Sequence, residues 1–118
     1  MSTERTCECP IDAIAQIIGS KWIIVLMRDM FLGVDKFSHF LAQNPTLSNK
    51  VLTQKLKEMQ EYGLIVKCLD MEGKIKYCLT PQGKKFKSVL LSLAEYGKDY
   101  CVSGDKSKQL IQKLTQGV

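Results

Sequence analysis

The fifteen residues from Ser48 to Tyr62 (SNKVLTQKLKEMQEY) constrain this chain more than any other stretch. At about 100° per residue, Leu52, Leu56 and Met59 fall on one side of a helix with Val51 at the margin. Asn49, Lys50, Thr53, Gln54 and Lys57 fan over the other. Such a helix must bury its first side. Ser48 is a good N-cap, and Leu47 and Leu52 are spaced for a hydrophobic staple. Gly63 suits the left-handed position after the last turn, with Leu64 folding back on Met59. From Leu64 the apolar period changes to two, so the helix stops where a strand begins.

The polar side admits two readings. An ordinary solvated helix surface mixes Glu with Lys. Here Asn, Gln, Thr and Lys dominate, side chains that hydrogen-bond base edges and phosphates, and no carboxylate precedes Glu58 to repel a polyanion. Lys55 falls among the apolar residues, which places its stem over the core edge and its amine in water.

Charge is distributed to match the nucleic-acid reading. Residues 1–47 carry four basic and five acidic side chains, residues 48–87 nine and four, and residues 88–118 four and three. The net +5 therefore belongs to the middle forty residues, the footprint of phosphate contact, although a lysine-rich solubility patch looks the same. With 118 residues, 45% of them hydrophobic, the chain suits one domain over 1–118. IIVLM is broken by Arg28 and Asp29, and MSTERTCE lacks the apolar core of a signal peptide, which predicts a cytoplasmic protein with no membrane partner. Five cysteines are then expected to be reduced, reactive or packed rather than a disulfide framework.

Pro10 to Ile18 opens with the residue favoured at a first helical position, and Ile11, Ile14 and Ile18 follow at helical spacing. After Gly19 and Ser20, Lys21 to Phe31 is apolar enough to be largely buried, with Trp22 as a core anchor. Phe37 to Gln43 is a short helix, and Asn44-Pro45-Thr46 breaks it before Ser48. Helix, tight turn and second helix is the arrangement in which the first braces the second against a groove. His39 lies on the exposed side of its helix without a Cys, Asp or His at ligand spacing, so neither metal nor cofactor is expected.

Leu64 to Leu79 reads as a hairpin turning at Glu72-Gly73. If Asp70 opposes Ile75, then Leu64, Val66, Cys68, Ile75, Tyr77 and Leu79 share the core face, while Lys67, Lys76 and Cys78 point outward. In that register Cys68 and Cys78 face opposite ways. Lys74 and Lys76 make the hairpin a basic flap, either a phosphate contact or simply a solvated hairpin. Thr80 caps a long helix with Pro81 in its first turn, carrying Phe86, Val89, Leu90, Leu93, Ala94, Tyr96 and Tyr100. That exceeds what one side of a small domain covers and suggests burial against a second subunit. Lys106 to Gln116 reads as a short amphipathic helix.

Four runs, CPIDAIAQIIGSKW, KFSHFL, LSNKVLTQKLKEMQEYGLI and YCLTPQGK, together resemble the successive signatures of the HxlR family of winged-helix regulators. The resemblance implies an α+β, mainly helical fold. A winged helix-turn-helix over about 36–62 would carry a two-stranded wing at 64–79, and extra N- and C-terminal helices, the latter at 80–116, would build a homodimer. It implies a sequence-specific regulator on double-stranded DNA, with Ser48 to Tyr62 as recognition helix. It also implies that Cys9 corresponds to a cysteine many members use to sense oxidants or electrophiles.

An N-terminal helix position favours thiolate over thiol, which gives the Cys9 reading a physical basis; Glu8 and Asp12 oppose it and Arg5 assists. Cys101, late in the last long helix, is the expected partner from a second subunit. One alternative is that all five cysteines are small hydrophobes; another is a Cys7-x-Cys9 pair binding metal with Cys101, although C-x-C alone is a poor metal signature. The expected DNA contacts are Ser48, Asn49, Lys50, Thr53, Gln54 and Lys57, with Lys74 and Lys76 on phosphates. The rival reading is a winged-helix module for protein assembly that binds no DNA. An enzyme is not expected, since the chain has no Ser/His/Asp set, paired carboxylates or phosphate loop.

Overall fold

A computed structural model describes residues 9–101 together with Gln112 and Lys113. Four helices come first: α1 (Pro10–Ile18), α2 (Lys21–Phe31), α3 (Phe37–Gln43) and α4 (Asn49–Glu61). A hairpin of β1 (Ile65–Leu69) and β2 (Ile75–Leu79) follows, then α5 (Pro81–Lys84), α6 (Phe86–Gly97) and a 3-10 turn at Lys98–Tyr100. The expected boundaries of the first four helices hold to within a residue. The expected helix within Lys106 to Gln116 lies outside the described residues, apart from Gln112 and Lys113, which are helical.

The core sits where α2 packs against α1, α3, α4 and α6. Ile23, Leu26 and Met27 of α2, Phe40 of α3, and Leu52, Leu56 and Met59 of α4 are essentially inaccessible to water. Burying one such side chain contributes about 1.5–3 kcal/mol. Trp22 is not the expected anchor: it is half-buried at the core margin, with the Lys21 ammonium 5.1 Å from its ring centroid. Helix spacing turns Ile23, Leu26 and Met27 inward and leaves Trp22 on the shoulder.

α4 is bounded as its sequence specifies. The Ser48 hydroxyl accepts from Val51 N at 3.1 Å. At the other end Gly63 has φ 78°; its amide donates to the Gln60 carbonyl at 3.0 Å, and Leu64 N donates to the Met59 carbonyl at 2.9 Å. These paired bonds satisfy carbonyls that the helix end leaves orphaned. The next residue begins β1.

The one long helix expected after the hairpin is not continuous. α5 and α6 are separated at Lys85, whose amide bonds three residues back to the Gln82 carbonyl. Thr80 caps α5 by accepting from Gly83 N at 2.9 Å, and its own hydroxyl donates to the Gly63 carbonyl. Thr80 N donates to the Leu64 carbonyl at 3.1 Å. The joint between α4 and β1 is thus stitched to the start of α5.

The hairpin departs from the expected register by one residue. Asp70 faces Lys74 rather than Ile75, and the pairs run Leu69 with Ile75, Cys68 with Lys76, Lys67 with Tyr77, Val66 with Cys78 and Ile65 with Leu79. The turn decides this. Asp70 Oδ1 accepts from the amides of Glu72 and Lys74, each at 2.8 Å, and Gly73 takes φ 81°. An aspartate that braces its own turn fixes a three-residue loop where a two-residue turn was expected. Because side chains alternate, the slip turns every β1 residue over. Ile65 is buried and Val66 is exposed, whereas Ile75, Tyr77 and Leu79 share a face as expected. Cys68 and Cys78 consequently lie on one face, not on opposite ones.

Candidate nucleic-acid interface

The outer face of α4 is held open by what its inner face buries. Leu52, Leu56 and Met59 fix the rotation of the helix, so Asn49, Lys50, Thr53, Gln54 and Lys57, with Ser48 at the cap, are all exposed to solvent. Lys55 is half-buried as its spacing suggests, its ammonium 3.2 Å from Glu58 Oε1. Glu58 is thereby neutralised locally. Thr53 is the exception within the polar set. Its hydroxyl donates to the Asn49 carbonyl at 2.8 Å, leaving it lone pairs and a methyl group to offer outward.

A buried polar clamp that the sequence reading passed over sets the angle between α3 and α4. Asp29 is 2% exposed and Asn44 8%. The Asn44 amide nitrogen donates to Asp29 Oδ2 at 2.8 Å and to the Phe40 carbonyl at 2.9 Å, while Arg28 pairs with Asp29 Oδ1 at 2.9 Å. The residue that ends α3 is therefore tied to α2, and Leu47 N donates to its carbonyl at 2.9 Å. Asn44-Pro45 read only as a turn signal; nothing in the sequence reported that its amide is buried against an aspartate fifteen residues earlier.

The wing is anchored beside α3. Tyr77 N donates to the Asp35 carbonyl at 2.8 Å, and the Tyr77 ring meets Phe40 edge-on with centroids 6.5 Å apart. The Lys36 ammonium lies 3.0 Å from Asp70 Oδ2. Lys74 N and, next, the Lys36 ammonium hold the Asp70 carboxyl below its ordinary pKa. Hydrogen bonding and charge from Asp70 raise Lys36. Lys74 is exposed at the turn and Lys76 half-buried on β2, so both expected phosphate contacts stand on the hairpin but differ in access.

Both shifts favour the charged pair. The lowered carboxyl contributes stability present above its unfolded value of about 3.9 and lost as pH falls through the lower folded value; the raised ammonium contributes stability lost only as pH climbs past about 10. Asp70→Asn should therefore lower the urea midpoint by a similar amount at every pH between 5 and 9. The gap from the natural chain should close below about pH 4. A gap unchanged at pH 3 would show that the charge contributes nothing to the hairpin.

Cys9 occupies the N-cap of α1, and its side chain makes no capping hydrogen bond. It is exposed, as is Cys101, whose Sγ donates to the Gly97 carbonyl at 3.7 Å. Cys7 lies outside the described residues. Four large apolar side chains on the terminal helices and the turn after them remain in water: Ile11, Leu93, Tyr96 and Tyr100. No single helix among the described residues is long and apolar enough to cross a membrane.

A helical core carrying helix, turn and capped polar-faced helix, followed by a two-stranded hairpin, defines a winged helix-turn-helix protein. The model of the HxlR-like helix-turn-helix family matches residues 17–105, and the chain belongs to that family. An uncharacterised HTH-type transcriptional regulator of Synechocystis sp. is 28% identical over 94 residues, covering 78% of this chain and 70% of the relative. Another from Methanothermobacter thermautotrophicus is 30% identical over 94 residues, 78% and 72% of the two chains. Among solved structures, the redox regulator HypR in its oxidised form superposes with TM-score 0.69 at 27% identity, over 77% of this chain and 96% of that one. The protein is a transcriptional regulator of the helix-turn-helix type rather than an enzyme.

Proposed function

We propose that the chain acts in the cytoplasm as a homodimer on double-stranded DNA, reading a near-palindromic site with one copy of α4 in each of two major grooves. The observation that carries this is the outer face of α4: six exposed polar or cationic side chains, with no exposed carboxylate before Glu61, backed by three buried ones. Lys50 and Gln54 contact base edges; Ser48, Asn49, Thr53 and Lys57 contact bases or phosphates; Lys74 and Lys76 contact phosphates. Exposed Ile11, Leu93, Tyr96 and Tyr100 support burial of the terminal helices between two copies, which would set half-sites about one helical turn, or a multiple, apart. The test is a mobility shift on duplexes selected from a randomised pool, repeated over a salt series. Lys74→Ala should weaken all sequences similarly and reduce the salt slope by about one phosphate's worth. Absence of salt-dependent duplex binding rejects the reading.

Regulation is proposed at Cys9. An oxidant takes two electrons and two protons from Cys9 of one copy and Cys101 of the other, leaving an intersubunit disulfide that changes the spacing of the two α4 helices. HypR, by its name a redox regulator, shares the fold. Diamide should give a covalent dimer on non-reducing gels; a dimer that survives Cys101→Ser rejects this pairing.

One observation favours the protein-assembly reading. Leu69, Met71 and Ile75 at the wing tip are exposed apolar side chains, unlike a surface devoted to phosphates. That reading predicts a protein partner over α4 and no duplex binding.

A further inference from the structure

Cys68 and Cys78 are both free thiols, half-buried, on the same face of the wing. Each belongs to a different pair: Cys68 stands across from Lys76 and Cys78 across from Val66. The hydrogen bonds fix the kind of pair as well. Asp70 N bonds Lys74 O and Thr80 N bonds Leu64 O, so Cys68 with Lys76 and Val66 with Cys78 are the hydrogen-bonded pairs of the ladder. The two cysteines are diagonal neighbours. Cys68, followed by burial, pushes the Cys78 thiol above its ordinary value, with Lys76 pulling the other way.

That placement restricts what the pair can do. Diagonal partners have Cα atoms about 7–8 Å apart. A direct disulfide requires at most about 6.8 Å, and above about 7 Å the backbone must move to make one. An atom inserted between the sulfurs relieves this, because two metal–sulfur bonds of about 2.3 Å span far more than a sulfur–sulfur bond of about 2.05 Å. Zinc wants four ligands, and among the described residues no group of three or more His, Cys, Asp or Glu is placed to hold a metal. Two sulfurs and no more suit a soft, two-coordinate ion.

We infer that Cys68 and Cys78 form a two-thiolate site on the wing for a soft monovalent d10 cation. Binding replaces two S–H bonds with two S–metal bonds and releases two protons to water, with no electron transferred. The bis-thiolate complex carries one negative charge, and Lys76, directly across from Cys68, is its counter-ion. Asp35 also raises Cys78, and its carboxylate opposes occupancy. A bound ion staples β1 to β2 next to the two wing lysines. None of this depends on Cys9 or on DNA binding.

The probe is Cu(I), and the protein is the full chain carrying Cys7→Ser, Cys9→Ser and Cys101→Ser, so that only the wing thiols remain. Reduced with a phosphine under nitrogen, it should withdraw about one Cu(I) per chain from a chromogenic chelator and develop the ultraviolet thiolate-to-copper band. Adding Cys68→Ser or Cys78→Ser should abolish both signals while circular dichroism stays unchanged; Cys68→Ala and Cys78→Ala serve where a serine variant misfolds. Lys76→Gln should weaken uptake without removing it. Failure to compete with the chelator, or uptake that persists without Cys78, overturns the assignment. So does formation of an intrachain Cys68–Cys78 disulfide under diamide by a protein that takes up no Cu(I), since the pair is then a redox couple.

Discussion

Gly83→Ala is expected to lower the midpoint of thermal unfolding by about 10 °C or more, corresponding to about 3 kcal/mol in a domain of this size. A Cβ at position 83 would stand 2.0 Å from the Leu64 carbonyl oxygen and 2.9 Å from its carbon. Both are backbone atoms, so no side-chain rotation relieves the clash. The carbonyl also cannot retreat freely, because it accepts from Thr80 N, while the carbonyl before it accepts from the Thr80 hydroxyl. Either α5 lifts off the joint, losing the Thr80 bonds, or the joint moves, disturbing the end of α4 and the start of β1 together. Gly97→Ala is the control. It adds a Cβ into open space on a helical residue, where alanine is preferred by up to about 1 kcal/mol. A Gly83→Ala variant that melts within about 2 °C of the natural chain would mean α5 is not seated on Leu64 as described.

The helices were legible because their signals are local. Ser48, Gly63 and the 3.6-residue spacing of Leu52, Leu56 and Met59 lie within a few residues of what they determine, and the family signatures pointed the same way. Features created by residues distant in sequence were not. The wing register turned on the side chain of Asp70 reaching two amides, a bond that alternation of apolar residues does not encode; one wrong loop length then reversed the faces of β1 and put on opposite faces two cysteines that share one. Gly83 read as part of a helix start, since a glycine needed for close approach looks like any other. Asn44 read as a turn residue, yet it is buried against Asp29 of α2. Trp22 shows the limit of ranking residues by size: its neighbours at the inward angle, Ile23, Leu26 and Met27, fill the core.

These long-range contacts all serve the aim of α4. The Asn44 clamp fixes its start through the preceding turn, and the stitch at Gly63, Leu64, Thr80 and Gly83 fixes its end. Between those two points only its outer side chains are left to vary in what they touch, and here the second large effect is expected. Lys50 and Gln54 are four residues apart on one ridge and exposed, and neither side chain has a hydrogen bond among the described residues. Gln54→Ala and Lys50→Ala should each weaken the preferred duplex by about 2 kcal/mol, roughly 30-fold, while changing binding to random duplex far less. The two losses should not add fully if both side chains read one base step. Thr53→Val, which keeps the methyl group and removes a hydroxyl already donating to Asn49, should cost much less than either. Competition titrations with selected and random duplexes at fixed salt measure all three. Equal losses on both duplexes would make Lys50 and Gln54 phosphate contacts, and would remove the reason for assigning sequence recognition to this face.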